Sequence, residues 1–246
     1  MSLSLDVALR EGTKPSHSTA ESTAFMKCFL KGVIDRNVFR KFLADLYFVY
    51  SALEVEMQRH QHHPVIGSVY FPELHRAEGL AQDLAFYYGL RWRSEVEPSP
   101  AAKVYLERIQ SISDSDPSLL LAHAYTRYMG DLSGGQALRS IIRLALNLPP
   151  QEGTHLYEFA TLPTPEARRS FKERYRQALR EVPLDESTAQ RIVDEANTAF
   201  SLNCHLMEAL EADLRMAIGE EVFELITRSQ APKAACPMRE MIQRSP

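Results

Sequence analysis

The stretch Ala124-Tyr125-Thr126-Arg127-Tyr128-Met129-Gly130-Asp131-Leu132-Ser133-Gly134-Gly135-Gln136 decides how this chain is read. Gly130, Gly134 and Gly135 fall within six residues of it, and each disfavours a helix by roughly 1 kcal/mol relative to alanine. A glycine-rich run is ordinarily a turn between two elements. Here Tyr125, Tyr128, Met129 and Leu132 lead into Ala137, Leu138, Ile141, Ile142 and Ala145 at helical spacing, with no proline between them. The pattern predicts one continuous, kinked helix whose glycines bare the backbone to a flat ligand.

Outward from this stretch the same period recurs. Phe39, Phe42, Leu43, Leu46, Tyr47 and Tyr50 are spaced by three and four, which predicts amphipathic helices and an all-α fold. Breaks are expected at Gly12 to Pro15, His63-Pro64, Gly89, Glu97 to Pro100, Asp114 to Pro117, Leu148 to Gly153, Thr161 to Pro165 and Val182-Pro183. They leave about eight helical segments. Ser115 or Asp116 before Pro117, and Thr164 before Pro165, read as helix N-caps. No repeat or low-complexity tract interrupts the chain, so residues 1 to about 228 read as one domain. The polar stretch 229–246 is expected to be disordered.

A chain of 246 residues is long enough to enclose a sizeable apolar ligand, and 45% hydrophobic with 24% charged residues is ordinary for a globular protein. The net charge of −4 argues against a general nucleic-acid binder, which needs a basic face. Cys28, Cys204 and Cys236 are odd in number and far apart, and no signal peptide or apolar run of bilayer length is present. A soluble, cytoplasmic protein without a membrane anchor is expected.

The glycine-rich stretch resembles the distal-helix pattern of the heme oxygenases, Tyr-Thr-Arg-Tyr-x-Gly-Asp-x-Ser-Gly-Gly-Gln. The resemblance runs from about Leu9 to Arg228. It includes Leu9-Arg10-Glu11-Gly12-Thr13-Lys14 before His17, Phe71-Pro72-Glu73-Leu74-His75-Arg76, Gln82 to Gly89, and Glu195-Ala196-Asn197-Thr198-Ala199-Phe200. The chain is most similar to the soluble cyanobacterial members. The resemblance implies a single-domain helical fold with heme b between a proximal and a kinked distal helix. It implies an enzyme that uses O2 and electrons, from reduced ferredoxin or another reductase, to open heme at the α-meso carbon. The products are then biliverdin, CO and ferrous iron.

The resemblance makes His17 the axial ligand of the heme iron. Spacing adds that Glu21, four residues on, shares a helix face with His17 and can orient its ring N–H. Thr13 reads as the N-cap of that helix with Pro15 in its first turn. Asp131 is, by resemblance, the distal acid that orders proton-delivering waters, with Arg127, Tyr50, Tyr105 and Asn203 bonded around it. Thr126, Gly130, Ser133, Gly134, Gly135 and Phe200 are expected to line the ring. Lys172 and Arg176 share a face in a basic run. The resemblance places them, with Arg10 and the Tyr125 hydroxyl, at the heme propionates. Arg10 stands where mammalian members carry lysine. The same basic run could also attract an acidic redox partner such as ferredoxin.

Other features read as structural. His60, His62 and His63 do not share one helix face and are expected as polar residues at a helix C-terminus. His75 and His123 read as core or supporting histidines, and Cys28 and Cys204 as buried helical thiols. Cys236-Pro237 belongs to the expected tail. Two alternatives compete. A di-iron carboxylate enzyme needs paired Glu-x-x-His helices, but the one such spacing, Glu152 to His155, lies in a connector. A heme-binding sensor or carrier would keep His17 but dispense with the acid network around Asp131.

Overall fold

A computed structural model describes residues 4–228. The expected tail and Cys236-Pro237 lie outside the described residues. Twelve α-helices follow one another: α1 (Leu5–Gly12), α2 (Lys14–Ser22), α3 (Ala24–Leu30), α4 (Arg36–Arg59), α5 (Pro64–Val69), α6 (Ala77–Tyr88), α7 (Pro100–Ser115), α8 (Leu120–Ala145), α9 (Pro165–Glu181), α10 (Glu186–Glu208), α11 (Glu211–Ile218) and α12 (Glu220–Arg228). No strand occurs among the described residues. The all-α expectation holds, and no described helix is long and apolar enough to cross a membrane.

The expected breaks are all present, but about eight segments was too few. The missed breaks are made by local chemistry rather than by proline. Thr23 ends α2 and caps α3 by accepting a bond from Met26 N–H at 3.3 Å. Gly32, at φ +70°, closes α3 with Gly32 N–H to Phe29 O and Val33 N–H to Cys28 O, both 2.9 Å, the left-handed C-terminal motif that glycine enters without strain. Asp35 then opens α4 by accepting from Asn37 N–H at 2.7 Å. Gly219 likewise separates α11 from α12 at φ +85°.

One capping expectation is corrected. Thr13 stands between α1 and α2, but its hydroxyl donates to Leu9 O at 2.7 Å and so finishes α1 instead of capping α2. Pro15 does sit in the first turn of α2. The glycine-rich stretch is helical throughout, as α8 runs unbroken from Leu120 to Ala145. Packing against α3, α4, α5, α9 and α10 and the burial of Leu120, Leu121, Ala124, Tyr128, Leu132 and Ile142 outweigh the low helix propensity of its glycines.

The core is aromatic and aliphatic, and α4 contributes Phe39, Leu43, Leu46, Tyr50 and Leu53 as fully buried side chains. Helix α10 is the hub, since α1, α2, α3, α7 and α8 all lean on it. His60 caps the end of α4 with Nε2 2.9 Å from Ser113 Oγ, and His63 opens α5. Among the described residues no cluster of three or more His, Cys, Asp or Glu could hold a metal ion. Cys28 and Cys204 are buried free thiols.

Candidate active site

Helices α2 and α8 both pack on α10, and neither packs extensively against the other. On α2, His17 lies one turn in, its N–H bonded to Thr13 O at 2.9 Å. Its ring meets Phe200 of α10 edge-on, with centroids 5.8 Å apart and planes at 75°. Nδ1 is 3.7 Å from Glu21 Oε2, which is longer than a hydrogen bond but close enough for the carboxylate to bias the ring. Nε2 makes no hydrogen bond among the described residues, and the side chain keeps 29% of its surface exposed.

On α8, Asp131 is buried, and the Tyr50 hydroxyl from α4 donates to its Oδ2. Arg127, one turn earlier, donates from Nε to the Tyr50 hydroxyl at 3.1 Å and from Nη1 to Asn203 Oδ1. Asn203 is held in turn by Nδ2 donating to Ala199 O at 2.8 Å. Tyr105, fully buried on α7, lies in the field of Arg127 and has its hydroxyl 3.3 Å from His123 Nδ1. Asp131, Tyr50, Arg127 and Asn203 therefore form one hydrogen-bonded network drawn from α4, α8 and α10, with Tyr105 of α7 beside Arg127. Burial pushes the Asp131 pKa up against the opposing pull of Arg127, the Tyr50 bond and Arg76. Such a carboxyl holds a proton more readily than an exposed aspartate.

The glycines of α8 serve two purposes. A Cβ added at Gly130, beside Asp131, would meet nothing within 4 Å, so the backbone there borders open space. A Cβ at Gly135 would lie 3.2 Å from the Tyr157 ring, so that glycine permits a close approach within the protein. Gly134 is buried and lies one turn beyond Gly130 on the same stripe. Ser133 is also buried, and the Thr126 hydroxyl turns back to Ala122 O at 2.9 Å.

Lys172 on α9 is 8% exposed, with no hydrogen bond or ion pair among the described residues. Burial lowers its pKa, and the neighbouring Arg176, Arg169 and Arg168 lower it further. An ammonium set beside three guanidinium groups without a counter-charge of its own draws an anion. Tyr125 faces the same charges: burial raises its pKa to about 12, while Arg176 and Arg10 oppose the rise. Arg176 lies 3.5 Å from Glu173. Arg10 is exposed and bonded to Glu11 at 3.1 Å.

A heme oxygenase family profile matches residues 3–209. The chain is 55% identical to heme oxygenase 2 of Synechocystis sp. over 91% of its own length and 90% of that protein. It is 48% identical to heme oxygenase 1 of Nostoc sp. over 94% and 95%. The chain belongs to the heme oxygenase family. Its fold matches the crystal structure of heme oxygenase-2 from Synechocystis sp. in complex with heme and NO, with TM-score 0.92 and 53% identity, over 94% of this chain and 95% of that one. Heme oxygenase from Leptospira interrogans matches with TM-score 0.81 at 40% identity, over 84% of this chain and all of that one.

In this family member His123 is the buried supporting residue that the sequence suggested, while the parts played by Glu195 and Arg108 were missed. His123, fully buried, sits with Nδ1 3.3 Å from the Tyr105 hydroxyl and Nε2 2.9 Å from Glu195 Oε1. Arg108 Nε donates to the same Glu195 oxygen at 2.9 Å. Burial lowers the His123 pKa, and the Glu195 bond only partly offsets this. The spacing of His123 four residues before Arg127 was the available signal.

Glu54 was also missed. It is one turn after Tyr50 on α4 and accepts from the backbone N–H groups of Arg76 and, at 3.2 Å, Ala77, which fixes the start of α6. Burial raises its pKa to about 7 against the pull of those two amides and the Arg76 charge, and Asp131 adds to the rise. Between the unfolded value of 4.5 and about 7 the native state holds the extra proton, so stability falls as pH rises through that window. Glu54→Gln keeps an acceptor and cannot ionise. Its unfolding free energy is expected to gain about 2 to 3 kcal/mol on wild type between pH 5 and pH 8. Parallel denaturation profiles for the two proteins would show that the carboxylate is not desolvated.

Proposed function

We propose that this protein is a heme oxygenase that opens heme at the α-meso carbon, with O2 and electrons, to biliverdin, CO and ferrous iron. The observation that carries this reading is the buried network of Asp131, Tyr50, Arg127 and Asn203 beside the bare backbone of Gly130. Bound heme supplies the iron that activates O2 and the ring that is oxidised, and so is both substrate and cofactor.

In this reading His17 Nε2 ligates the iron, Glu21 biases the ring through Nδ1, and Phe200 limits its rotation. Gly130 and Gly134 let the macrocycle lie against the backbone of α8, with Thr126, Ser133 and Gly135 on the surrounding helix. Asp131 holds waters that carry a proton to the reacting oxygen. Tyr50 and Arg127 fix which carboxylate oxygen is free to do so, and Asn203 and Tyr105 hold Arg127 in place. Lys172, Arg176, Tyr125 and Arg10 bind the propionates. Because these contacts set the in-plane rotation of the ring, they choose the carbon that is attacked.

The basic face of α9, with Arg168 and Arg169 near the propionate residues, suits an acidic electron donor, for which reduced ferredoxin is our choice. The protein acts in the cytoplasm, and residues 1–228 form its catalytic domain. The test is heme-loaded protein given ferredoxin, its reductase and NADPH in air. Loss of the Soret band with release of CO, iron and a green bilin is expected. A stable oxygen complex with the ring intact would instead identify a heme carrier or sensor.

A further inference from the structure

Helix α2 has little to hold it in place. It has nine residues, none of them buried, and no side chain caps its N-terminus. A helix that short is marginal in isolation. The hydroxyls of Thr19 and Ser22 turn back onto its own backbone, at 3.1 Å to Pro15 O and 2.8 Å to Thr19 O. Ser16 differs: its hydroxyl reaches across to α10 and donates to Asn197 Oδ1 at 2.5 Å.

Asn197 makes further bonds. Its Nδ2 donates to Gly12 O at 3.3 Å and to Val193 O at 3.0 Å. Gly12 is the last residue of α1, so its carbonyl is one that the helix itself cannot satisfy. One amide group thus grips both sides of the α1–α2 junction. Val193, Asn197 and Phe200 are four and three residues apart and share a face of α10. Val193 meets Gly12 so closely that an added Cβ would lie 2.5 Å from Cγ1. Phe200 meets the His17 ring.

We propose that Asn197 is a positioning residue that clasps the His17 helix to α10 through Ser16 and Gly12, and that this clasp sets how fast bound heme escapes. The proposal rests on the reading of His17 as the iron ligand. With the clasp shut, α2 cannot lift from α10, and the imidazole stays at one height and tilt. With it open, α2 frays as a short helix, and the ligand leaves with it.

The test uses heme-loaded wild type, Ser16→Ala, Asn197→Ala and the double variant. Heme transfer to excess apomyoglobin gives the escape rate, and hydrogen exchange compares amides of α2 with those of α8. Each single change is expected to speed heme loss about tenfold, as loss of one to two hydrogen bonds would. The double variant should be no faster than Asn197→Ala, and exchange should rise in α2 alone. Unchanged escape rates, additive effects, or exchange rising equally in α8 would overturn the clasp. If wild type lacked the imidazole–iron stretch, the ligand reading would fail, while the α2 exchange would still report on Asn197.

Discussion

His17→Ala is expected to remove the imidazole–iron stretching band from the resonance Raman spectrum of the ferrous heme complex and to lower biliverdin formation by at least about 100-fold. The magnitude follows from metal sites generally, where losing an outer partner of a ligand already costs 10- to 100-fold. The geometry explains why no neighbour substitutes. Phe200, which meets the ring, has no donor atom, and the nearest ionisable group, Glu21, lies on the Nδ1 side. Folding should change little, because the side chain is partly exposed and makes no hydrogen bond at Nε2 among the described residues. A Raman band that persists in the variant would place the ligand elsewhere.

Asp131→Ala is expected to bind heme with the His17 signature intact and to lose on the order of 100-fold or more in bilin yield per electron supplied. Its stability should also fall by about 1–3 kcal/mol, since the Tyr50 hydroxyl loses its buried acceptor and Arg127 loses a nearby opposite charge. Asp131→Asn separates the two effects. An amide oxygen still accepts from Tyr50, so stability should approach that of wild type, yet the group cannot carry a proton in the same way. Titration by urea and single-turnover bilin formation read the two quantities apart. Full activity in the asparagine variant would limit Asp131 to a hydrogen-bonding role.

The distal network was legible through the resemblance of the glycine-rich stretch and its flanking segments to the heme oxygenases, and the helical period placed its members on particular helix faces. Tyr50 follows Phe39, Leu43 and Leu46 on α4, and Arg127 and Asp131 are one turn apart on α8. Glu54 and Glu195 were harder to see. Each carries the same local pattern as a solvated side chain, and only the crossing of α4, α7, α8 and α10 buries it. The count of helices failed for a related reason. Thr23 and Asp35 break the chain by capping, and threonine and aspartate are also found within helices that continue, as Thr126 and Asp131 are in α8.

By itself the sequence determined the helical class, the continuity of α8 through its glycines, and the residue types available for iron, acid and propionate chemistry. Helical period and side-chain chemistry are local properties, readable one turn at a time. Only the tertiary structure decided which of those residues meet. Asn203 reaches Arg127, and Asn197 reaches Ser16 and Gly12, because α10 lies against α8, α2 and α1 at once. That arrangement is set by burial summed over the whole core, to which no single stretch of sequence holds the key.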